Sequence, residues 1–161
     1  MAGDRMITIK KNGNGDTRTA KSDVTFREFQ KANDSHKMDV YNVMQLLADK
    51  ILESGKNHDH TKKEFEDQQY KAFKEAMNGT TPFNESDWYK MHVTTERHHL
   101  YSHVPEDVNL IDVLEMISDI ICAALARNNE RIDSLNIDSD ILHKAINNTI
   151  RLINENIELK E

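Results

Sequence analysis

The sequence predicts an all-α protein, a single-domain bundle of five to six helices that follows a short N-terminal hairpin or arm. Glycine and proline, the residues that most often interrupt helices, number only 5 and 2 in 161 residues. Long segments carry apolar side chains at intervals of three and four residues, which is the spacing of one helix face. A hydrophobic fraction of 37% beside 30% charged residues indicates a thin core under a well-solvated surface.

The first 23 residues differ in pattern from the rest of the chain. Residues 6–9 alternate between apolar and polar side chains, and residues 12–15 read Asn-Gly-Asn-Gly, which is typical of a turn. This pattern predicts a short hairpin or a loose arm over residues 1–23 and a helical domain over residues 24–161. Thr25 with Glu28 three residues later predicts a capping box at the start of the first helix.

Apolar spacing and helix-ending residues then divide the domain into helices. The first runs from Phe26 to about residue 54 and ends near Gly55, and residues 33–35 (Asn-Asp-Ser) offer a break that would put His36 in the first turn of a second segment. Ser86 or Asp87 is expected to cap a later helix. The remaining predicted helices are 61–77, 86–101, 110–128 and an amphipathic last helix from 138 through Ile157.

Composition narrows the class of protein. A net charge of −7 argues against a non-specific binder of duplex nucleic acid. The single cysteine, Cys122, excludes an internal disulfide and is consistent with a reducing cytoplasm. The sequence contains no signal-peptide pattern and no apolar run long enough to span a membrane. We therefore expect a cytoplasmic protein without a membrane partner.

Histidine is the residue type most concentrated in one region. The chain has 8 histidines, and six of them lie between His58 and His103. The segment from Asn57 to Lys62 places a His-Asp pair three residues before a lysine. Imidazole and carboxylate groups together ligate first-row metals, and a lysine one helical turn beyond the aspartate can contact a phosphate. The same Asp59 could also serve only as the N-cap of the helix that follows.

A second group of candidate residues lies on the predicted helix 86–101. His92, Glu96, His99 and His103 are spaced four, three and four residues apart, so on a continuous helix they would share one face. Such a row could ligate a metal or hold a phosphate, and it could equally be a solvated polar face. His98 would point about 100° away, and whether His98 or His99 is a ligand stays open.

The most apolar helix, 110–128, carries a polar stripe. Asp112, Glu115, Asp119 and Cys122 recur on one side of it. The stripe either faces water, as in any amphipathic helix, or turns toward a polar cleft in which Asp119 is a ligand and Glu115 its neighbour. His36, considered alone, is typical of a surface or cap position.

The order of these residues resembles the HD-domain superfamily of metal-dependent phosphohydrolases, whose pattern is His, His-Asp and Asp. The matching positions are His36, His58-Asp59 and Asp119, with Lys62 in a form that recurs there. The chain also looks like an uncharacterised family from tailed phages and bacteria. That second resemblance covers roughly residues 30–150 and is carried by His58-Asp59-x-Thr61-Lys62, Glu96-Arg97-His98-His99 and residues 109–119 (Asn-Leu-Ile-Asp-Val-Leu-Glu-Met-Ile-Ser-Asp).

The superfamily resemblance implies an HD-like fold and a set of roles for these residues. One divalent transition metal (Mn, Fe, Co, Ni or Zn) would bind, and Asp59 would bridge to a second ion if two were present. Lys62 and Arg97 would neutralise phosphate, and Glu96 or Glu115 would orient or deprotonate the attacking water. Placing His92 and His99 on one helix departs from the usual two-metal pattern. The implied metal ligands are His36, His58, Asp59 and Asp119 for the first ion and His92 and His99 for the second.

The function implied is hydrolysis of a small phosphorylated substrate, a nucleotide or related phosphate ester, by a metal-activated water. Some HD-like proteins instead carry out oxidation at a di-iron pair. A different class is a phage-type helical binding protein that captures a host factor in the host cytoplasm, with a structural metal site or none. A third is an assembly module, such as a homodimer, formed through Phe26, Phe29 and the last helix.

Overall fold

The computed structural model describes residues 6–11, 13 and 15–160, and in this part of the chain it confirms the all-α class. The chain divides into two compact units, one formed by residues up to 50 and from 150 onward, the other by residues 51–149. None of the helices in the described ranges is both long and apolar enough to cross a membrane. The elements in chain order are β1 (Ile7–Lys10), α1 (Phe26–Asn57), α2 (His60–Glu64), α3 (Glu66–Met77), α4 (Asp87–Thr95), α5 (Leu110–Asn128), α6 (Ser139–Glu155) and β2 (Ile157–Lys160).

The first unit joins the two ends of the chain through a parallel pair of strands. β1 pairs with β2 in the register Ile7 to Ile157 and Lys10 to Lys160. The predicted N-terminal hairpin is therefore wrong, because the partner of β1 comes from the other end of the chain. The predicted turn includes residues 12 and 14, which lie outside the described residues. Ile157, expected to extend the last helix, instead opens β2.

Helix α1 begins as predicted and continues further than predicted. The capping box is confirmed, since Glu28 Oε2 accepts from Thr25 N at 2.8 Å and Thr25 Oγ1 accepts from Glu28 N at 3.3 Å. No break occurs at residues 33–35, and the helix passes through Gly55 to Asn57. Asn, Asp, Ser and Gly each cost a fraction to about 1 kcal/mol in a helix, too little to end a long one.

Two of the predicted helices in the second unit are shorter than expected. The stretch 61–77 divides at Phe65, whose φ of −118° and ψ of 38° separate α2 from α3. Ser86 caps α4, accepting from Tyr89 N at 3.2 Å, but α4 ends at Thr95 because Glu96 adopts an extended conformation. The prediction that His92, Glu96, His99 and His103 share one helix face is therefore wrong.

The core of the second unit positions α5. Buried Leu100, Val108, Val113, Met116 and Ala145 form one cluster. The start of α5 is fixed by a capping box in which Asn109 Oδ1 accepts from Ile111 N and Asp112 Oδ2 accepts from Asn109 N, both at 2.8 Å. The first turn and the apolar face of α5 are both held in place, so the core fixes which way the polar stripe that begins with Asp112 faces.

Candidate metal centre

The His58-Asp59 pair occupies the two-residue turn between α1 and α2. Asp59 has φ 56° and ψ 33°, a left-handed conformation that costs a non-glycine residue about 1 kcal/mol or more. Its side chain makes no capping hydrogen bond to α2, so the N-cap interpretation is wrong. The carboxylate instead contacts Lys62 Nζ and lies 3.2 Å from His58 Nε2 and 3.3 Å from His92 Nε2. The turn therefore directs this carboxylate toward imidazoles.

Two groups of potential metal ligands meet at this carboxylate. His58, His98 and Asp119 form the first group, and Asp59, His92 and His99 form the second; within each group the ligand atoms lie within 4.8 Å of one another. His58 Nε2 is 3.5 Å from Asp119 Oδ1, and His92 Nε2 is 3.0 Å from His99 Nε2. Asp59 lies between the groups, because its Oδ2 faces His58 while its Oδ1 faces His92 and His98, the latter at 3.6 Å.

The donor atoms suit a first-row transition cation. Nitrogen and oxygen ligands bind such ions at about 2.0–2.2 Å, so neighbouring ligand atoms of one ion lie roughly 3–4 Å apart, as the pairs here do. Among the described residues, Asp59 Oδ1 and both ring nitrogens of His98 are buried and accept or donate no hydrogen bond. Buried polar atoms are normally paired, and unpaired ones that face each other are the expected donors for a cation.

Glu115 contacts both histidines of the first group through Nδ1, the ring nitrogen that does not face Asp59. Its Oε1 accepts from His58 Nδ1 at 3.0 Å and lies 3.0 Å from His98 Nδ1 without the alignment of a hydrogen bond, while Oε2 accepts from Ser54 Oγ. Burial opposes ionisation of Glu115, but the adjacent His98 imidazole and the hydrogen bonds from Ser54 and His58 outweigh it and lower its pKa to about 2. The carboxylate thus stays charged and directs Nε2 of His58 toward Asp59 and Asp119, as carboxylate–histidine pairs do behind metal sites.

In the second group, Glu96 orients His92 indirectly, through the hydroxyl group of Thr61. The fully buried Thr61 Oγ1 donates to Glu96 Oε1 at 2.6 Å and lies 2.7 Å from His92 Nδ1. Because the single hydroxyl proton goes to the carboxylate, the hydroxyl oxygen accepts from His92 Nδ1, which assigns the proton of this imidazole to Nδ1. The lone pair of His92 Nε2 is then left facing Asp59 and His99.

The second group presents neutral imidazoles at neutral pH. Burial lowers the pKa of His92, and burial together with the neighbouring His98 and His92 lowers the pKa of His99 to about 4. Trp88 covers one face of His92, with ring centroids 4.9 Å apart and planes 12° from parallel. Neutral imidazole is the form that binds a metal.

The structure brings together five of the six predicted metal ligands: His58, Asp59, His92, His99 and Asp119. His36 belongs to neither group; it is exposed on α1 in the first unit, where it lines a separate cavity with Asp39. His98, instead of His36, completes the first group, and His99 belongs to the second, so each of the two adjacent histidines lies in a different group. This division is possible because α4 ends at Thr95, before His98 and His99.

The predicted catalytic residues divide into two kinds. Arg97 donates through Nε and Nη2 to both oxygens of Asp112, at 2.8 and 2.9 Å, and through Nη1 to Asp107 at 2.9 Å. The guanidinium group of Arg97 is therefore already bound by two carboxylates of the protein. We correct the predicted role of Arg97 from phosphate binding to structural support. Glu96 and Glu115 hold ligand histidines, which argues against either as the base. The side chain of Lys62 is 43% exposed, and its ammonium group contacts Asp59.

The described residues thus define an all-α protein with a partly buried histidine–carboxylate cluster, in which Asp59 of the second group also lies against the two histidines of the first. The chain belongs to the family of unknown function DUF5662, whose model matches residues 25–156. The chain matches no curated protein and no solved structure. The resemblance to HD-domain phosphohydrolases therefore stays a prediction.

Proposed function

We propose that this protein is a metal-dependent phosphohydrolase that acts on a phosphate ester. The observation that carries the proposal is the position of Asp59, whose carboxylate lies within 3.6 Å of histidines from both ligand groups. A shared carboxylate between two N/O ligand groups is the arrangement of two-metal hydrolytic sites. The HD-domain resemblance of the motif agrees with this assignment.

Each group would hold one divalent ion. Mixed imidazole and carboxylate donors favour Mn, Fe, Co, Ni or Zn over Mg and Ca, which prefer oxygen ligands. Such ions supply Lewis acidity toward a phosphoryl oxygen and lower the pKa of water. The protein contributes fixed ligand geometry, since Glu115 orients His58 and the Thr61–Glu96 pair orients His92.

Lys62 is our candidate for the phosphate contact. Its side chain is 43% exposed, its Nζ contacts Asp59, and it lines the same cavity as His92, His99 and Asp119. The site carries several carboxylates, which repel a phosphate unless cations offset them. A lysine ammonium at the edge of the ligand groups would therefore lower the cost of bringing a phosphate oxygen to the ions.

The test combines metal analysis of the purified protein with release of phosphate or pyrophosphate from a panel of nucleotides and simple phosphate esters. We expect His58→Ala to lose at least half of the bound metal and to lower turnover at least about 1,000-fold, while His143→Ala, an exposed position on α6, changes neither. Full metal content in His58→Ala would refute the ligand assignment. Metal without turnover on any ester would refute the hydrolase and favour the helical binding protein.

The two carboxylates behind the histidines give a paired prediction. We expect Glu115→Gln to weaken binding of one metal ion about 10- to 100-fold and to leave the other unchanged, since the two histidines that Glu115 contacts, His58 and His98, both belong to the first group. Glu96→Gln should weaken the other ion, because Glu96 supports His92 through Thr61. Isothermal titration of each variant with Zn²⁺ or Mn²⁺ measures both affinities. Equal loss of both ions in both variants would contradict the division into two groups.

A further inference from the structure

A cavity of about 600 Å³ opens beside the ligand groups within the second unit. His92, His99, Asp119 and Lys62 line it, so the candidate metal centre and this cavity share a wall. Asp119 and Arg127 both line it from α5 and lie eight residues apart, which corresponds to about 12 Å along a helix. The cavity therefore extends well beyond the space that a phosphate alone would fill, and its volume is typical of a small-molecule site.

An aromatic wall that adjoins the ligand His92 through Trp88 is suited to a flat ring. Phe83, Trp88 and Tyr89 line it, with the Phe83 ring 5.6 Å from Trp88 and 5.8 Å from Tyr89 between centroids. On α5 the lining residues between Asp119 and Arg127 are Ile120, Ala123 and Ala124, whose small or branched side chains leave a smooth apolar surface. Aromatic walls of this kind bind planar groups by stacking and by burial of apolar surface.

Arg127 supplies a positive charge on the same cavity. It is exposed, and its side chain forms no hydrogen bond or ion pair with any residue that the structure describes. Arg97, by contrast, is fully engaged by Asp107 and Asp112. A guanidinium without a carboxylate partner offers its donor fork to phosphate or carboxylate oxygens.

We propose that this cavity binds the leaving group of the substrate, and that the substrate is a phosphate ester whose leaving group carries an aromatic ring and a second anionic group. The ring lies against Phe83, Trp88 and Tyr89, and the second anion pairs with Arg127, while the reacting phosphate meets Lys62 and the ligand groups. This inference rests on the proposed function for the reacting end. The ring and Arg127 contacts depend only on the cavity.

Trp88 makes the binding step directly measurable. It is the single tryptophan of the chain, so its fluorescence reports on this cavity and on the adjoining His92, and the titrations are compared at one fixed metal content. The probes are adenosine 3′,5′-bisphosphate, adenosine 5′-monophosphate and ribose 5-phosphate, mixed rapidly with the full-length protein as purified. We expect saturable quenching by both adenosine compounds, about tenfold tighter binding of the bisphosphate, and no quenching by ribose 5-phosphate.

Three variants test the assignment. Arg127→Gln should remove the preference for the bisphosphate and keep monophosphate binding, and Arg131→Gln, an exposed arginine that does not line the cavity, should keep the preference. Ala123→Phe, which fills the cavity without changing charge, should abolish quenching by both adenosine compounds. Equal affinity of wild-type protein for the two compounds, or quenching that survives Ala123→Phe, would overturn the proposal.

Phosphate release separates this inference from the proposed function. If the bisphosphate preference depends on Arg127 but no ester is hydrolysed, the cavity assignment holds and the hydrolase proposal fails. If esters are hydrolysed with no preference for a ring or a second anion, and Arg127→Gln changes no kcat/KM, the hydrolase proposal holds and the cavity assignment fails.

Discussion

Replacing Asp59 by asparagine is expected to remove bound metal from both ligand groups and to abolish phosphate release. The substitution keeps the shape of the side chain and removes the charge that faces His58 on one side and His92 and His98 on the other. An amide is a much weaker ligand than a carboxylate for a transition ion and cannot offer two anionic oxygens. We expect each metal affinity to fall by at least about 100-fold, which exceeds the effect typical of residues behind the ligands.

The fold should survive this change, which makes the result interpretable. Asp59 adopts the left-handed conformation, and asparagine is one of the few residues that tolerates it. The carboxylate caps no helix, so its loss removes no backbone hydrogen bond. We therefore expect the circular dichroism spectrum and the Tm of the metal-free protein to change little, while metal content measured by mass spectrometry falls.

Single-group variants serve as controls. Asp119→Asn should reduce binding of one ion only, and His99→Asn should reduce binding of the other, because each residue belongs to one group. If Asp59→Asn lost no more metal than Asp119→Asn, the carboxylate would serve a single ion and the shared-ligand geometry would not describe the site. Wild-type metal content in Asp59→Asn would refute the metal centre.

From the sequence, the residues of this site were easier to predict than their arrangement in space. His58 and Asp59 were identifiable because they are adjacent, and the turn that orients them follows from the end of α1. His92 and His99 were also correctly grouped, but on a continuous helix that the structure ends at Thr95. Neither glycine nor proline marks that end, so helical spacing gave a misleading reason for a correct pairing. His98 was left as an alternative to His99, because on an unbroken helix the two side chains would point about 100° apart, and the structure places one of them in each group.

Long-range order was the harder part of the fold to predict. Alternation in residues 6–9 correctly indicated a strand, yet nothing local shows that the partner of β1 begins at Ile157, 150 positions after Ile7. His36, predicted as a ligand, belongs to neither ligand group for a related reason. The order of ligands along the chain matched the HD pattern, but order carries no information about distance, and the structure places His36 in the unit that does not contain the ligand groups.

The second large effect is expected at Arg97, through stability. Arg97 binds both oxygens of Asp112, a residue only 3% exposed that also accepts from Asn109 N at the start of α5. Arg97→Met would leave the carboxylate of Asp112 buried without its cation. Breaking a buried pair costs about 3–5 kcal/mol, and we expect roughly 3 kcal/mol, since the guanidinium side of this pair is 41% exposed.

Urea denaturation of the metal-free protein measures this cost, with Asp107→Asn as the control. Asp107 contacts the same guanidinium but its side chain is 76% exposed, so its loss should cost less than about 1 kcal/mol. Arg97→Lys should remain destabilised, because an ammonium group cannot bind both oxygens of Asp112 in parallel. In the double variant Arg97→Met with Asp112→Asn, the cost should be smaller than the sum of the single costs.

The same variants decide between the two roles considered for Arg97. If Arg97 is structural, Arg97→Met should lose a large part of its unfolding free energy and, below the lowered Tm and at saturating metal, show little change in the KM for a phosphate ester. If Arg97 instead neutralises phosphate, Arg97→Met should keep its unfolding free energy and show a raised KM. Because α5 also carries Glu115 and Asp119, one and two turns beyond Asp112, a loosened first turn of α5 should weaken metal binding in proportion to the loss of stability.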